Sequence, residues 1–186
     1  ISDADGLAKD FMTGEWYGAA REQNGARTEP DYLFKLPLDG SGNPTTPIDP
    51  NGFGTGVSCV PIDTISLPGG PDLVDDLGID PANGDLYGVA NKGATTATRI
   101  IKIDKTDGST IDIGQAQNSA GVFLPDIEGF SIDESGRWLM STGQDGGSPT
   151  TDDSIWVVDP PPIGPFPTPV AATRIAQLRG DGTIFN

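Results

Sequence analysis

The feature that most constrains this 186-residue chain is an internal repeat. Residues 76–113 read Asp76-Leu77-Gly78-Ile79-Asp80, a turn Pro81-Ala82-Asn83-Gly84, then Leu86-Tyr87-Gly88-Val89, a polar loop, Arg99-Ile100-Ile101-Lys102-Ile103-Asp104, a turn through Gly108, and Thr110-Ile111-Asp112-Ile113. A second copy runs Gly129-Phe130-Ser131-Ile132-Asp133, a turn Glu134-Ser135-Gly136, then Trp138-Leu139-Met140-Ser141, a polar loop, Ser154-Ile155-Trp156-Val157-Val158-Asp159, a Pro-rich excursion, and Thr173-Arg174-Ile175-Ala176-Gln177-Leu178. Over the first three strand motifs the offset stays between 52 residues (Leu86 to Trp138) and 55 (Arg99 to Ser154). Runs this short, rich in Ile, Val, Thr and aromatics and separated by Gly, Pro, Asn and Asp, are read as strands joined by turns.

A weaker copy precedes these two. It places Trp16-Tyr17-Gly18-Ala19 where the next copy has Leu86-Tyr87-Gly88-Val89, Leu33-Phe34-Lys35-Leu36 in the position of Ile100 to Ile103, and Thr64-Ile65-Ser66-Leu67 as a last strand. Four strands per ~40–50 residues is the grammar of a propeller blade. The phrases Ile79-Asp80-Pro81, Asn83-Gly84-Asp85-Leu86-Tyr87-Gly88-Val89 and Thr106-Asp107-Gly108 resemble blades of bacterial secreted and surface β-propeller proteins. Ile127-Glu128-Gly129-Phe130-Ser131-Ile132-Asp133 with Gly136-Arg137-Trp138-Leu139 is similar to the blade opening of esterase- and phytase-like propellers. The expected fold is all-β, with about three propeller-like units of short antiparallel strands in a single domain, 1–186, or in a piece of a larger propeller. Rings of this kind are built from four or more blades, so an incomplete ring, or one completed by a second chain, is expected.

Composition sharpens this picture. Against 11 Lys and Arg stand 27 Asp and Glu, a formal charge of −16, which disfavours nucleic acid and anionic membranes as partners. No run approaches the ~18 apolar residues of a membrane-spanning helix. The only candidate helix is Ser2 to Met12, where Ser2 or Asp3 caps and Leu7, Phe11 and Met12 share a face. The opening Ile1-Ser2-Asp3 carries neither initiator Met nor leader and reads as a mature or excised segment. Together with the acidity, it points to an extracellular or cell-surface bacterial protein. Cys59, the sole cysteine, lies in the strand-like run Val57-Ser58-Cys59-Val60 and is expected to be a buried small hydrophobe.

The chain contains no His, so Ser-His-Asp and Cys-His machinery and imidazole-ligated metals are excluded. Gly52-Phe53-Gly54-Thr55-Gly56 lacks the strand, helix and Gly-Lys-Ser/Thr of a phosphate loop and reads as a plain loop. Acidic loops remain. Asp75 falls opposite Glu128 in the repeat, each ahead of the first strand of its copy, with Asp72, Asp76 and Asp126 close by. At that place in a propeller, carboxylates of successive blades converge on the channel or its rim, and such oxygen donors suit calcium. The expected metal residues are Asp75, Asp76, Asp126, Glu128 and Asp145; Asp3 with Asp5, and Asp152 with Asp153, are further acidic candidates. Asp80, Asp104, Asp133 and Asp159 close strands at matching positions and are assigned to turns. Trp16, Tyr17, Tyr87, Trp138 and Trp156 are assigned to the core between sheets, and Arg179-Gly180-Asp181, an integrin-type tripeptide, to a turn.

Two functions follow as expectations. The first is a non-catalytic, calcium-stabilised adhesion or structural module that recognises a protein, peptide or glycan. The second, implied by the resemblance, is a fragment of an esterase-, lactonase- or phytase-like hydrolase in which calcium polarises the substrate.

Overall fold

The computed structural model describes residues 3–21, 31–42, 60–65, 73–91, 98–124, 127–143, 154–159, 161, 169–178 and 184–185. Fourteen strands and no helix are found among them. The first sheet is a meander of β1 (Asp3–Lys9), β2 (Trp16–Arg21), β3 (Tyr32–Leu36) and β4 (Val60–Thr64). The second contains β5 (Leu73–Ile79), β6 (Leu86–Asn91), β7 (Arg99–Ile103) and β8 (Thr110–Gln117). In the third, β9 (Ile127–Ile132), β10 (Trp138–Thr142), β11 (Ser154–Val158) and β13 (Thr173–Leu178) take the same order, and β14 (Ile184–Phe185) adds an outer strand. The segment between β11 and β13 leaves its own sheet on the way. As β12 (Val170–Ala171) it pairs in parallel with the edge of β8 before returning, and so ties the third sheet to the second.

The fold is therefore all-β, with three antiparallel, blade-like sheets of four or five strands. The first strands pack in series, β1 on β5 and β5 on β9, which makes them the inner strands of a propeller-like stack. Two apolar seams lie between the sheets. Ala8, Tyr17, Ala19 and Leu33 meet Leu77, Ile79, Leu86, Ile101 and Ile103 in the first. Val89, Ile100 and Ile113 meet Ile127, Phe130, Trp138, Met140 and Val158 in the second. The aromatic assignments hold for Tyr17 and Trp138, which are buried, and for Tyr87 and Trp156, which pack at the edge of the second seam.

One local device recurs at the end of each inner strand. The N–H of Met12 donates to Asp10 Oδ1, that of Ala82 to Asp80 Oδ1 and that of Ser135 to Asp133 Oδ1, at 2.8–2.9 Å. The N–H groups of Gly14, Gly84 and Gly136 close these turns onto the Asp carbonyls. Asp104 and Gly108 build the same turn between β7 and β8. The side chain of Asp satisfies the turn's backbone N–H, while glycine supplies the positive φ that closes it.

This turn accounts for the main departure from expectation. Ser2 to Met12 is no helix: Asp3–Lys9 is β1, and Phe11 and Met12 stand exposed at the tip of the Asp10 turn. The apolar spacing of Leu7, Phe11 and Met12 imitates a helical face, yet over residues 5–9 β1 buries Gly6 and Ala8, residues too small to register as an apolar stripe. The last strand of the first copy also lies earlier than Thr64 to Leu67. It is Val60–Thr64, and Ile65 follows it as a buried residue whose N–H donates to the Asp31 carbonyl.

Two of the turn glycines make a graded test. At Gly136 (φ 81°) an added Cβ meets nothing within 4 Å, whereas at Gly108 (φ 71°) it would stand 2.7 Å from the carbonyl oxygen of Thr64. Gly136→Ala is expected to cost about 1–2 kcal/mol of left-handed strain. Gly108→Ala adds a backbone clash of roughly 1–3 kcal/mol. Equal losses in denaturant titrations of the two variants would contradict the close approach of β4 to the β7–β8 turn.

Candidate functional site

The inner strands share an irregularity at the end remote from the Asp turns. In β1, Ala4 faces Ala20 and Gly6 faces Ala19, which leaves Asp5 as an extra residue. In β5, Val74 faces Ala90 and Asp76 faces Val89, leaving Asp75. In β9, Ile127 faces Thr142 and Gly129 faces Ser141, leaving Glu128. Each bulge sits five positions before its turn aspartate, Asp10, Asp80 or Asp133, so the three carboxyl-bearing residues occupy one level of the stack. A β-bulge re-aims the side chain of its unpaired residue. Here it carries an acid in all three sheets; Asp5 and Asp75 are half-buried and Glu128 is exposed.

The equivalence of Asp75 and Glu128 was legible from the repeat, but the matching place of Asp5 was not. The helical spacing expected over Ser2 to Met12 groups Asp5 with Asp3 rather than with the bulges. The signal was present: Asp10-x-x-x-Gly14-Glu15 repeats as Asp80-x-x-x-Gly84-Asp85, and counting back from that turn reaches Asp5 and Asp75. Asp126 and Asp145, with Asp72, Asp152, Asp153, Cys59, the Gly52–Gly56 loop and Arg179-Gly180-Asp181, lie outside the described residues. Among the described residues no three acidic side chains are close enough to hold one metal ion.

Asp76, next to the bulge, is committed elsewhere. Its Oδ2 accepts the N–H of Phe130 at 2.7 Å across the second seam, and its Oδ1 accepts that of Leu77 at 2.8 Å. Burial pushes the carboxyl above its usual range in spite of these two bonds, which favour the ionised form. In the first seam the equivalent position is Gly6, where a Cβ would come within 2.9 Å of the Leu77 nitrogen. The same backbone approach is therefore made directly in one seam and through a carboxylate in the other.

A further pair of ties acts at the bulge end. The residue before the third strand of the first and second sheets reaches the next inner strand: Asp31 Oδ2 accepts the Val74 N–H at 2.6 Å, and Thr98 Oγ1 accepts the Ile127 N–H at 3.1 Å. Both acceptors are buried, and they set the level at which the bulges stand.

The opposite end of the first sheet carries a different group. Lys35 pairs with Glu15, and the Tyr17 hydroxyl donates to Glu15 Oε2 at 2.6 Å. The Lys35 ammonium and the Tyr17 hydroxyl hold the Glu15 carboxyl below its usual range, while burial, reinforced by Glu15, raises the Tyr17 phenol. Glu15 and Lys35 line an open cavity of about 520 Å³, bounded by the Thr13–Gly14 turn and by Leu36 to Asp39. It has no counterpart among the aligned acidic bulges and resembles a polar surface cleft at the mouth of the first sheet.

No protein-family model matches the chain, and no curated protein matches it. Among solved structures it is similar to the GH43_1 enzyme from Xanthomonas citri, determined in complex with xylotriose. The likeness covers 88% of this chain at 12% identity with a TM-score of 0.45, and the chain spans about half, 51%, of that structure.

Proposed function

We propose that this chain is a non-catalytic, extracellular binding module of propeller type whose working surface is the bulge end of β1, β5 and β9, and that calcium takes part in holding a protein, peptide or glycan there. One observation carries the reading: an acidic residue is the extra residue of a bulge at the same level in all three inner strands. Repeating a carboxylate at the extra position of a bulge in all three inner strands lines one level of the stack with negative charge on a chain of formal charge −16. A hard cation relieves that charge, and calcium accepts six to eight oxygen ligands in flexible geometry. With at most two described carboxylates within reach of one ion, most of its coordination positions are left for oxygens of the partner, such as sugar hydroxyls or a peptide carboxylate.

The non-catalytic part rests on proton chemistry. Turnover near neutral pH needs a group that exchanges protons there or a metal that lowers the pKa of water. The sequence has no His. Asp76, a carboxyl of the inner strands that burial raises, has its oxygens engaged by backbone N–H groups of Phe130 and Leu77.

Thermal melts in millimolar calcium and in chelator test the metal. If calcium is present at about 100 times its dissociation constant, it stabilises the fold by about 2.7 kcal/mol, a rise of roughly 5–10 °C for a chain of this size. The rise should disappear in the Asp5→Asn, Asp75→Asn, Glu128→Gln triple variant, and binding on glycan and peptide arrays should vanish with chelator. Superimposable melts would remove calcium from the reading. Hydrolysis of a lactone or phosphoester that is lost on Glu128→Gln would replace the binding module with a calcium-dependent propeller hydrolase.

A further inference from the structure

We infer that Asp39 is a site of spontaneous isoaspartate formation, and that the turns of the second sheet protect Asn83 and Asp107 from the same reaction. The chemistry is intramolecular. The backbone nitrogen of the residue after an Asp or Asn attacks the side-chain carbonyl carbon, and the new C–N bond closes a five-membered succinimide. Water leaves from Asp, or ammonia from Asn. Water then adds to either ring carbonyl, and addition at the main-chain carbonyl leaves the chain running through Cβ. Nothing is oxidised or reduced, and the only co-reactant is water. The step is fastest before glycine, which has no Cβ to crowd the ring. At neutral pH Asn outruns Asp, because an ionised carboxylate resists nucleophilic attack.

Among the described residues four pairs meet the sequence requirement: Asp5-Gly6, Asp39-Gly40, Asn83-Gly84 and Asp107-Gly108. In the last three the side chain is held alike. Oδ1 accepts the N–H two residues further on, from Ser41 for Asp39, Asp85 for Asn83 and Ser109 for Asp107, at 2.8–2.9 Å. The attacking nitrogen makes the difference. The Gly84 N–H donates to the Asp80 carbonyl at 2.8 Å and the Gly108 N–H to the Asp104 carbonyl at 2.9 Å, and both glycines are buried. Neither nitrogen can enter a ring without giving up that bond and opening the turn. Gly6 is also buried and paired with Ala19 in the first sheet. Gly40 differs from all three. It is exposed, its turn is closed by the Gly42 N–H on the Asp39 carbonyl at 2.9 Å, and its own N–H donates to no group among the described residues. An added Cβ at Gly40 meets nothing within 4 Å, so the turn has room to close the ring. The pair with the slower leaving group is therefore the reactive one, because the fold withholds the nitrogen from the faster.

The product matters for its place. Asp39 and Gly40 line the open cavity of about 520 Å³ that also holds Glu15 and Lys35. Isoaspartate lengthens the main chain there by one carbon, shortens the arm that carries the carboxylate, and turns the carbonyl that accepts the Ser41 N–H into part of the backbone. One wall of the cavity is remodelled with mass and charge unchanged.

The test holds the folded chain in warm, neutral buffer and maps its peptides by electron-transfer fragmentation, which separates isoaspartate from aspartate at each position. Isoaspartate should accumulate at position 39 and not at 107, while Asn83 keeps its amide. In the same chain unfolded in guanidinium chloride, Asn83 should deamidate at least about 10-fold faster than in the folded chain, since local opening no longer limits it. Asp39→Asn puts identical chemistry in two turns of one molecule, and in the folded chain position 39 should lose its amide at least about 10-fold faster than Asn83. Gly40→Ala should abolish the isoaspartate signal at 39 and leave circular dichroism unchanged. A folded wild-type chain without isoaspartate at 39, or equal rates at 39 and 83 in Asp39→Asn, would overturn the inference.

Discussion

Phe130→Ala is expected to lower the free energy of unfolding by about 3–5 kcal/mol, the largest single loss anticipated for a side chain of the second seam. Phe130 is 4% exposed and stands edge-on to Trp138, with ring centroids 5.9 Å apart and planes at 74°. Its ring lies over Gly78 of the neighbouring inner strand, where even a Cβ would come within 2.8 Å of a ring carbon. Truncation thus opens a void between two sheets and removes the edge-to-face contact, and the bare backbone of Gly78 supplies no side chain to fill the space. Phe130→Leu should cost less than half as much, since it keeps most of the volume. Urea titrations of both variants measure the difference; a loss below about 1 kcal/mol for Phe130→Ala, the level of an ordinary substitution, would show that the β5–β9 seam is not packed as described.

A second large effect is expected from Lys105→Met, about 3 kcal/mol, the range found when a buried ion pair loses one member. Lys105 leaves the β7–β8 turn and places its ammonium 2.8 Å from Asp10 Oδ2 across the first seam. It also lies 5.6 Å from the centre of the Tyr17 ring. Asp10 is 1% exposed, so removing the cation strands a carboxylate without solvent. Asp10→Asn should be milder: an amide oxygen still accepts the Met12 N–H, and Lys105, one quarter exposed, retains access to water. Burial alone would raise the Asp10 carboxyl, but the Lys105 ammonium and the N–H groups of Met12 and Thr13 outweigh it and hold the carboxyl below its ordinary value. With the folded-state pKa depressed, the contribution is complete above the unfolded value of about 4 and is lost as pH falls from there through the folded value. Wild type should therefore lose stability on acidification below about pH 4, and Lys105→Met should lose less over that interval because its carboxylate is no longer favoured. Parallel acid limbs for the two proteins would argue against the ion pair as the cause.

The period of the repeat was enough to place β6, β7, β10 and β11 almost to the residue, because their Leu, Ile, Val and aromatic content is dense. The turns were equally legible. Asp followed three or four residues later by Gly states its own geometry, as Asp80 with Gly84 and Asp104 with Gly108 show. β1 was hidden for the opposite reason: its described buried positions include Gly6, which approaches the Leu77 backbone, and the small Ala8 of the first seam, and neither contributes much hydrophobic signal. The segment at 170–171 could not be read as a strand of the second sheet, since a two-residue parallel pairing with Ala116 and Gln117 has no period at all.

The candidate site divides in the same way. The presence of Asp75 and Glu128 at equivalent places follows from counting along the repeat, but that each is the extra residue of a bulge depends on cross-strand register. Register is a relation between strands, and the residues opposite Val74 and Asp76 cannot be identified from β5 alone. The separate fates of Asp75 and Asp76 also lie beyond any linear pattern. Adjacent carboxylates in the chain are chemically alike, and only the approach of the Phe130 N–H from β9 commits one of them to the seam.

Local chemistry that acts within a few residues was thus determined by the sequence itself: the all-β class, the three-fold repetition of a four-strand unit, the Asp–Gly turns and the exclusion of imidazole chemistry. The tertiary structure decided which faces meet, which acids stand in bulges, and that Ile113 is covered while Ile175 is open. The physical reason is that burial is conferred by packing across a seam, as Ile113 packs in the second one, and that is a relation between sheets which neither the Asp112–Gly114 nor the Arg174–Ala176 neighbourhood states.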